Sequence, residues 1–391
     1  MDVRSLLKVM VDQEASDLYL TVESPPAYRV HGATQLTDAP PFTNEQLEAL
    51  ALALMRGQQR QEFEEKMEMN LALYYKELGR FRVNIFRQRG NVGLVFRHIK
   101  AEIQTADQLG LPQIVKDIAM TKRGLVLVAG STGSGKSTTL AAMIDHRNAT
   151  HPGHIVTVED PIEFIHSHKR SIITQREVGF DTLSFQSALR NTLRQAPDVI
   201  LIGEIRDTET MEAAITFAET GHLCIGTLHS NNANQAIERI MNFFPVERHA
   251  QIYLQLSLNL RAIISQRLVP SVDGKRAPAL EIMLDTPRIK DLIKKAEVDS
   301  LKEAMEQGVD EGCQTFDYVL FQLYKDARIT LEQALINADS ANNLRLKIKL
   351  EGLKGDDAVN ALLDKKSGDP TNSAFKIQGG APGNVAPLRK V

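Results

Sequence analysis

Only two of the 391 residues are cysteine, Cys224 and Cys313. Two thiols cannot build a disulfide framework or a four-cysteine zinc site, and their scarcity suits a reducing compartment. Long apolar runs are missing as well, none approaching the ~18 residues of a membrane span. Charge of one sign is not in excess: 46 Lys and Arg face 49 Asp and Glu, a net charge of -3, so no global field recruits DNA or acidic lipid. The opening stretch MDVRSLLKVMVDQEASD carries Asp2 and Arg4 early and spaces its apolar residues for one face. It reads as an amphipathic helix and not as a signal peptide. What remains is a cytosolic globular chain without a transmembrane segment, long enough for two domains.

Along the chain, residues 1–100 read as a small α+β domain. A helix leads into the strands DLYLTV and AYRVHG, then a helix around Glu45 to Glu65, then the hairpin GRFRVNIFRQRGNVGLVFRHIK. In that hairpin Phe81, Val83 and Ile85 alternate with Arg80, Arg82 and Asn84, the period of a half-buried strand. Residues 101–112 lose the pattern and suit an interdomain linker. From 113 to 290 strand and helix patterns alternate, with GLVLVAG, HIVTVED, DVILIGEI and HLCIGTLH as strands, which predicts an α/β core dominated by a parallel sheet. A helical region is expected over 291–364 and a disordered tail, rich in Gly, Pro and Ser, over 365–391.

The run GSTGSGKST fits the pattern G-x-x-x-x-G-K-[ST]. An apolar strand precedes it and the helix-prone TTLAAMIDH follows. Backbone N–H groups from Gly130, Ser131, Thr132, Gly133, Ser134, Gly135 and the helix start through Thr138 are placed to cradle phosphates. Lys136 reaches the β- and γ-phosphates and the Ser137 hydroxyl ligates Mg²⁺. ATP and Mg²⁺ are the expected ligands.

The second strand to matter is VILIGE. Four aliphatic residues aim Glu204 at the carboxyl edge of the sheet, where α/β ligands bind, so Glu204 is placed to orient or deprotonate water. Gly203 stands where many P-loop enzymes hold an Asp near magnesium. The missing carboxylate is sought in VTVEDPIEF, where Glu159, Asp160 and Glu163 cluster at another strand end. Glu163 is the preferred contact to the metal or its water, with Glu159 second. His222 and His229 flank a further strand, and His229, at the carboxyl end, is the candidate γ-phosphate sensor.

GSTGSGKST, VEDPIEF, LIGEIRD and TGHLCIGTLHSNNA together resemble the secretion-type hexameric ATPases, most closely the PilT/PilU retraction motors of type IV pili. ASDLYL, GRFRVN, VFRHI and AIISQRLVP extend the resemblance over nearly the whole chain. It implies a PAS-like N-terminal domain, a RecA-like P-loop core, a homo-hexameric ring and ATP-driven pilus retraction supporting twitching motility. It further implies a cytoplasmic protein peripheral at the inner membrane, partnered by an inner-membrane platform protein. By position Lys136 and Ser137 match the phosphate loop, Glu163 the acidic box, Glu204 the catalytic glutamate, His222 and His229 the histidine box. Arg82 and Arg97 match arginines that reach across to the nucleotide. The chain has no C-x-x-C of the extension motors, and PRIKDLIKKAE stands where PilT-type motors carry an AIRNL-like stretch. The first sets the chain apart from the extension motors; the second points to the accessory, PilU-type branch, which the resemblance pairs with a paralogous PilT-like motor.

Other readings fit parts of the same pattern. A small-molecule kinase would need an acceptor-binding box, and the sequence shows none. A principal PilT-type motor differs only in branch. A nucleotide-binding adaptor would dispense with Glu204. A DNA-translocating ring would use the six Lys and Arg residues between Arg80 and Lys100 with the interleaved Phe81, Phe86 and Phe96. Phe81, however, shares the buried parity of Val83 and Ile85, so no nucleic acid is expected.

Overall fold

The computed structural model describes residues 2–30, 32–99 and 102–351. The expected tail and the last part of the expected helical region lie outside the described residues. The chain begins with α1 (Val3–Asp12), whose cap is the Asp2 carboxylate accepting the Arg4 N–H, and which buries Val3, Leu6, Leu7 and Met10. That spacing is the single apolar stripe seen in the sequence. Then come β1 (Asp17–Leu20), β2 (Ala27–Val30), β3 (Ala33–Leu36), α2 (Asn44–Leu54), α3 (Gly57–Lys66), β4 (Glu68–Tyr75), β5 (Gly79–Gln88) and β6 (Asn91–Ile99). The strands form one antiparallel sheet in the order β3-β2-β1-β6-β5-β4.

The β5–β6 hairpin closes through Arg89 and Gly90, both at positive φ, as a two-residue turn matching strand twist requires. Phe81, Val83, Ile85, Leu94 and Phe96 are buried beneath it. Each such side chain contributes about 1.5–3 kcal/mol by leaving water, so Phe81 and Phe96 serve the core and are not available to stack on bases. The single helix expected around Glu45 to Glu65 is two helices. Met55 and Arg56 are extended, and the Arg60 guanidinium donates to the Leu52 and Met55 carbonyls. These are end-of-helix acceptors that would otherwise lack donors, so a long arginine stabilises the break that periodicity alone does not reveal.

The larger unit runs through α4 (Gln113–Ala119), β7 (Gly124–Ala129), α5 (Lys136–Thr150), β8 (Gly153–Glu159), β9 (Ser171–Glu177), α6 (Phe185–Thr192), β10 (Val199–Ile202), α7 (Thr208–Glu219), β11 (Leu223–Leu228), α8 (Ala233–Met241), α9 (His249–Asn259), β12 (Leu260–Pro270) and β13 (Arg276–Leu284). Its sheet has the order β13-β12-β7-β11-β10-β8-β9. All neighbours are parallel except the β12–β13 edge pair, so the α/β, parallel-sheet fold class expected from the sequence is the one present. Every residue of β7, β10 and β11 is buried, because helices cover both faces. Ala106 and Leu111, in the segment expected to link the domains, are buried in the core of this larger unit.

After β13 the described chain continues through α10 (Pro287–Lys294), α11 (Leu301–Gln307), α12 (Phe316–Lys325), α13 (Leu331–Asn337) and α14 (Ala341–Leu350). Arg267 of β12 ties α12 and the end of α13 to the sheet. Its guanidinium lies 3.7 Å over the Phe316 ring and donates to the Asn337 carbonyl at 2.6 Å and to Asp339 at 2.7 Å.

Glu281, in the middle of β13, is 1% exposed and accepts the Ala233 N–H at 2.7 Å. Burial pushes its carboxyl up to about 7, opposed by that N–H. A carboxyl that holds its proton more tightly folded than unfolded stabilises fully below the unfolded value, and the gain is lost as pH rises through about 7. Glu281→Gln keeps an acceptor for Ala233 without the proton. Thermal unfolding from pH 5 to pH 8 is therefore expected to fall less steeply for Glu281→Gln than for wild type, and parallel curves would refute the assignment.

Candidate active site

Parallel register brings four strand ends to one rim. Ala129 of β7 lies beside Leu228 of β11, and Ile202 of β10 lies between Gly226 and Val158. Gly130, Glu159, Glu204 and His229, far apart in sequence, therefore leave the sheet on the same edge. A cavity of about 270 Å³ opens there, walled by Thr132, Lys136, Ser137, Glu163, Glu204 and His229, among others.

The loop from Gly130 to Gly135 joins β7 to α5. Gly130, Gly133 and Gly135 all have positive φ. A Cβ on Gly130 would collide with the Ser134 hydroxyl and the Gln266 carbonyl, and one on Gly135 would meet Gln266 Nε2 at 2.8 Å. Only glycine permits so tight a turn against β12. Lys136 Nζ donates to the Gly130 and Ser131 carbonyls at 2.8 and 2.9 Å, and Ser134 Oγ is buried without a partner among the described residues. One residue into α5 beyond Lys136, Ser137 lines the cavity, and Thr139 Oγ1 donates to Gln266 at 2.7 Å. Burial holds the Lys136 ammonium below its ordinary range, while Glu163 and Glu204 act the other way. Lys136 and both carboxylates line the same cavity.

Glu204 follows β10 by two residues. The Gly203 N–H donates to the Val158 carbonyl at 2.8 Å, and a Cβ on Gly203 would stand 3.0 Å from the Glu159 Cα. Gly203 is therefore needed so that β10 can pass the end of β8. The Gly203 carbonyl accepts the Thr227 hydroxyl at 2.5 Å and Ile205 N–H donates to the Thr227 carbonyl, which anchors Glu204 on both sides. Its Oε1 lies 3.4 Å from His229 Nε2, both side chains being about two-fifths exposed. Arg206, the nearest cation in sequence, is instead 3.9 Å from Asp160, so Glu204 remains open to the cavity.

Glu163 lines the cavity from the loop after the cis Asp160–Pro161 peptide. Glu159, the second choice from sequence, behaves differently. Thr157 and Gln175 donate to its Oε1 at 2.6 and 3.2 Å, and burial pushes its carboxyl up to about 7. His222, at the opposite end of β11, contacts Thr220 and the Phe217 carbonyl, away from the rim. Arg82, half-buried on β5, feels the charges of Glu177, Asp160 and Glu163. Arg97 sits across from it in register but donates to Asp17 Oδ1 at 2.9 Å. Arg80, which sequence reasoning passed over, bonds Glu177 at 3.0 Å across the two sheets.

A glycine-rich loop feeding a helix, a lysine in one cavity with two carboxylates and an open glutamate at the next strand end define a P-loop nucleoside triphosphatase on a RecA-like sheet. The comparisons agree. Residues 4–343 match the type II/IV secretion system protein family, to which the chain belongs. It is 51% identical to the type IV pilus ATPase PilU of Pseudomonas aeruginosa over 96% of this chain and all of that one. It is 44% identical to the type IV pilus retraction ATPase PilT of the same organism, over 88% of this chain and all of that one. The crystal structure of a pilus retraction motor PilT with bound ADP superposes with a TM-score of 0.81 at 42% identity, covering 87% of this chain and 98% of that one.

Proposed function

We propose that this chain hydrolyses ATP to power type IV pilus retraction and hence twitching motility, as an accessory, PilU-type motor in a homo-hexameric ring. The observation that carries this is the convergence of Lys136, Ser137, Glu163, Glu204 and His229 on one rim of a chain so similar to PilU along its whole length.

In this mechanism the loop N–H groups and Lys136 hold the triphosphate, with Ser131 to Thr138 following its phosphates. The donors beside it are a hydroxyl and carboxylates, hard oxygen ligands that suit Mg²⁺ shared with substrate phosphates and water. Among the described residues no group of three or more His, Cys, Asp and Glu could hold a metal alone. Ser137 and Glu163 would hold it, and bound there it would offset charge on the phosphates. Glu204 accepts a proton from the attacking water. His229, in contact with Glu204, reports the loss of the γ-phosphate, and Arg82 and Arg97 close the N-terminal sheet onto the nucleotide. Closure alternating around six subunits delivers the work. Like the PilU that it resembles, the ring would work at the cytoplasmic face of the inner membrane, held by a platform protein and beside a PilT-like paralogue. Among the described residues no helix is long and apolar enough to cross a membrane.

The test is genetic. In piliated cells lacking this chain, wild type is expected to restore retraction and Glu204→Gln is not. Full restoration by Glu204→Gln would make the chain an adaptor. ATPase activity stimulated by DNA in a salt-sensitive way would instead favour a translocase.

A further inference from the structure

Glu177 ends β9, the edge strand of the larger sheet, directly across from Glu159 of β8. It is 1% exposed, and no step of hydrolysis uses it. Its Oε2 accepts two donors at once. One is Arg80 Nη2, from the start of β5 in the N-terminal sheet, at 3.0 Å. The other is the backbone N–H of Ile162, at 3.3 Å. Ile162 is itself buried and immediately precedes Glu163. One carboxylate oxygen therefore joins the N-terminal domain to the loop that carries the acidic box.

The surroundings fix the carboxylate in place. The Glu177 N–H donates to Asp181 Oδ2 at 2.9 Å, its carbonyl accepts from Phe180 and Asp181, and the next residue, Val178, donates to the Glu159 carbonyl. Only the side chain reaches across. That contact is monodentate: Arg80 Nε and Glu177 Oε1 are buried without partners among the described residues. A bidentate arginine fork would weld the two sheets together. A single bond with unused donors and acceptors on both sides suits a contact that opens when the domains part. Arg82, two residues along the same strand, supports the junction, since it feels Glu177, Asp160 and Glu163 together.

We propose that Glu177 is a positioning residue for ATP hydrolysis, which links docking of the N-terminal sheet through Arg80 to the placement of Glu163 through Ile162. Hydrolysis is then fast only in a subunit whose N-terminal domain is docked. Binding of the triphosphate to the phosphate loop does not need the junction. The inference rests on the role given to Glu163 above.

The experiment uses the full chain and compares wild type, Arg80→Gln, Glu177→Gln, the double variant, Arg80→Lys and Glu163→Gln. The measurements are kcat, KM for ATP, the Mg²⁺ concentration for half-maximal rate, and the unfolding temperature. Each charge-removing single variant is expected to lower kcat by about tenfold or more, since misplacement by about 1 Å is that costly. KM should stay within about threefold of wild type and the Mg²⁺ requirement should rise. The double variant should be no slower than the slower single one, because the two residues make one contact. Arg80→Lys should recover most of the rate. Losses that multiply, unchanged kcat in both single variants, or a lowered unfolding temperature with unaltered kcat would overturn the inference and leave a structural ion pair. Glu163→Gln separates the two readings. If it retains wild-type rate, the role of Glu163 fails and this inference falls with it. If it is slow while Arg80→Gln and Glu177→Gln are not, the junction alone is refuted.

Discussion

Glu204→Gln is expected to slow ATP hydrolysis by about 10²–10⁴-fold, the usual contribution of a positioned general base, while leaving nucleotide affinity within about threefold. The amide has nearly the same shape as the carboxylate but cannot take a proton from water. Its supports are unchanged, because the backbone bonds around Gly203, Ile205 and Thr227 hold position 204 regardless of side chain. The contact to His229 at 3.4 Å loses its charge. Single-turnover hydrolysis beside equilibrium binding of a fluorescent ATP analogue separates the two effects. A variant that hydrolyses ATP at a rate near wild type would remove Glu204 from the chemistry and leave Glu163 as the carboxylate to examine.

Lys136→Ala is expected to do more, because it acts on binding and on chemistry. Loss of charge-assisted bonds to the phosphates weakens binding by about 10- to 100-fold, equivalent to about 1.5–3 kcal/mol. Loss of a preorganised donor to the transition state removes roughly a further 10²–10³ from kcat. Glu163 and Glu204 line the same cavity and act on the charge of this ammonium, so its removal also leaves two carboxylates uncompensated beside an incoming polyanion. The fold should tolerate the change, since among the described residues the Lys136 ammonium bonds only to loop carbonyls in its own turn. Phosphate release and isothermal titration with ATP are the measurements. Binding equal to wild type would mean that the loop backbone alone holds the phosphates.

Legibility followed sequence distance. The phosphate loop could be read because its glycines, lysine and serine are contiguous and their function depends on that contiguity. Glu204 could be read because a short apolar run fixes where a parallel strand ends. The same reasoning placed Glu159 in the acidic cluster but not its burial, which pushes the carboxyl up while Thr157 and Gln175, on two strands, donate to it and act the other way. Strands β4, β9 and β12 passed unrecognised as local patterns. In β4, EMNLALYY, methionine, leucine and alanine favour helix, and pairing with β5 decides otherwise. Arg80 and Glu177, 97 residues apart, have no shared local pattern at all. Nor did periodicity show that Met55 interrupts a helix, since the donor that makes the break tolerable is a side chain from the next helix.

Gln266 and Arg267 are neighbours on β12, and alternation along a strand turns them to opposite sides. Gln266 abuts Gly135 and bonds Thr139 at the foot of the phosphate-binding helix. Arg267 is clasped by Phe316, Asn337 and Asp339. The phosphate loop and the C-terminal helices are thus mounted in series on a single peptide unit. A load that tugs on those helices pulls first on β12, and what it disturbs next is the grip on the nucleotide.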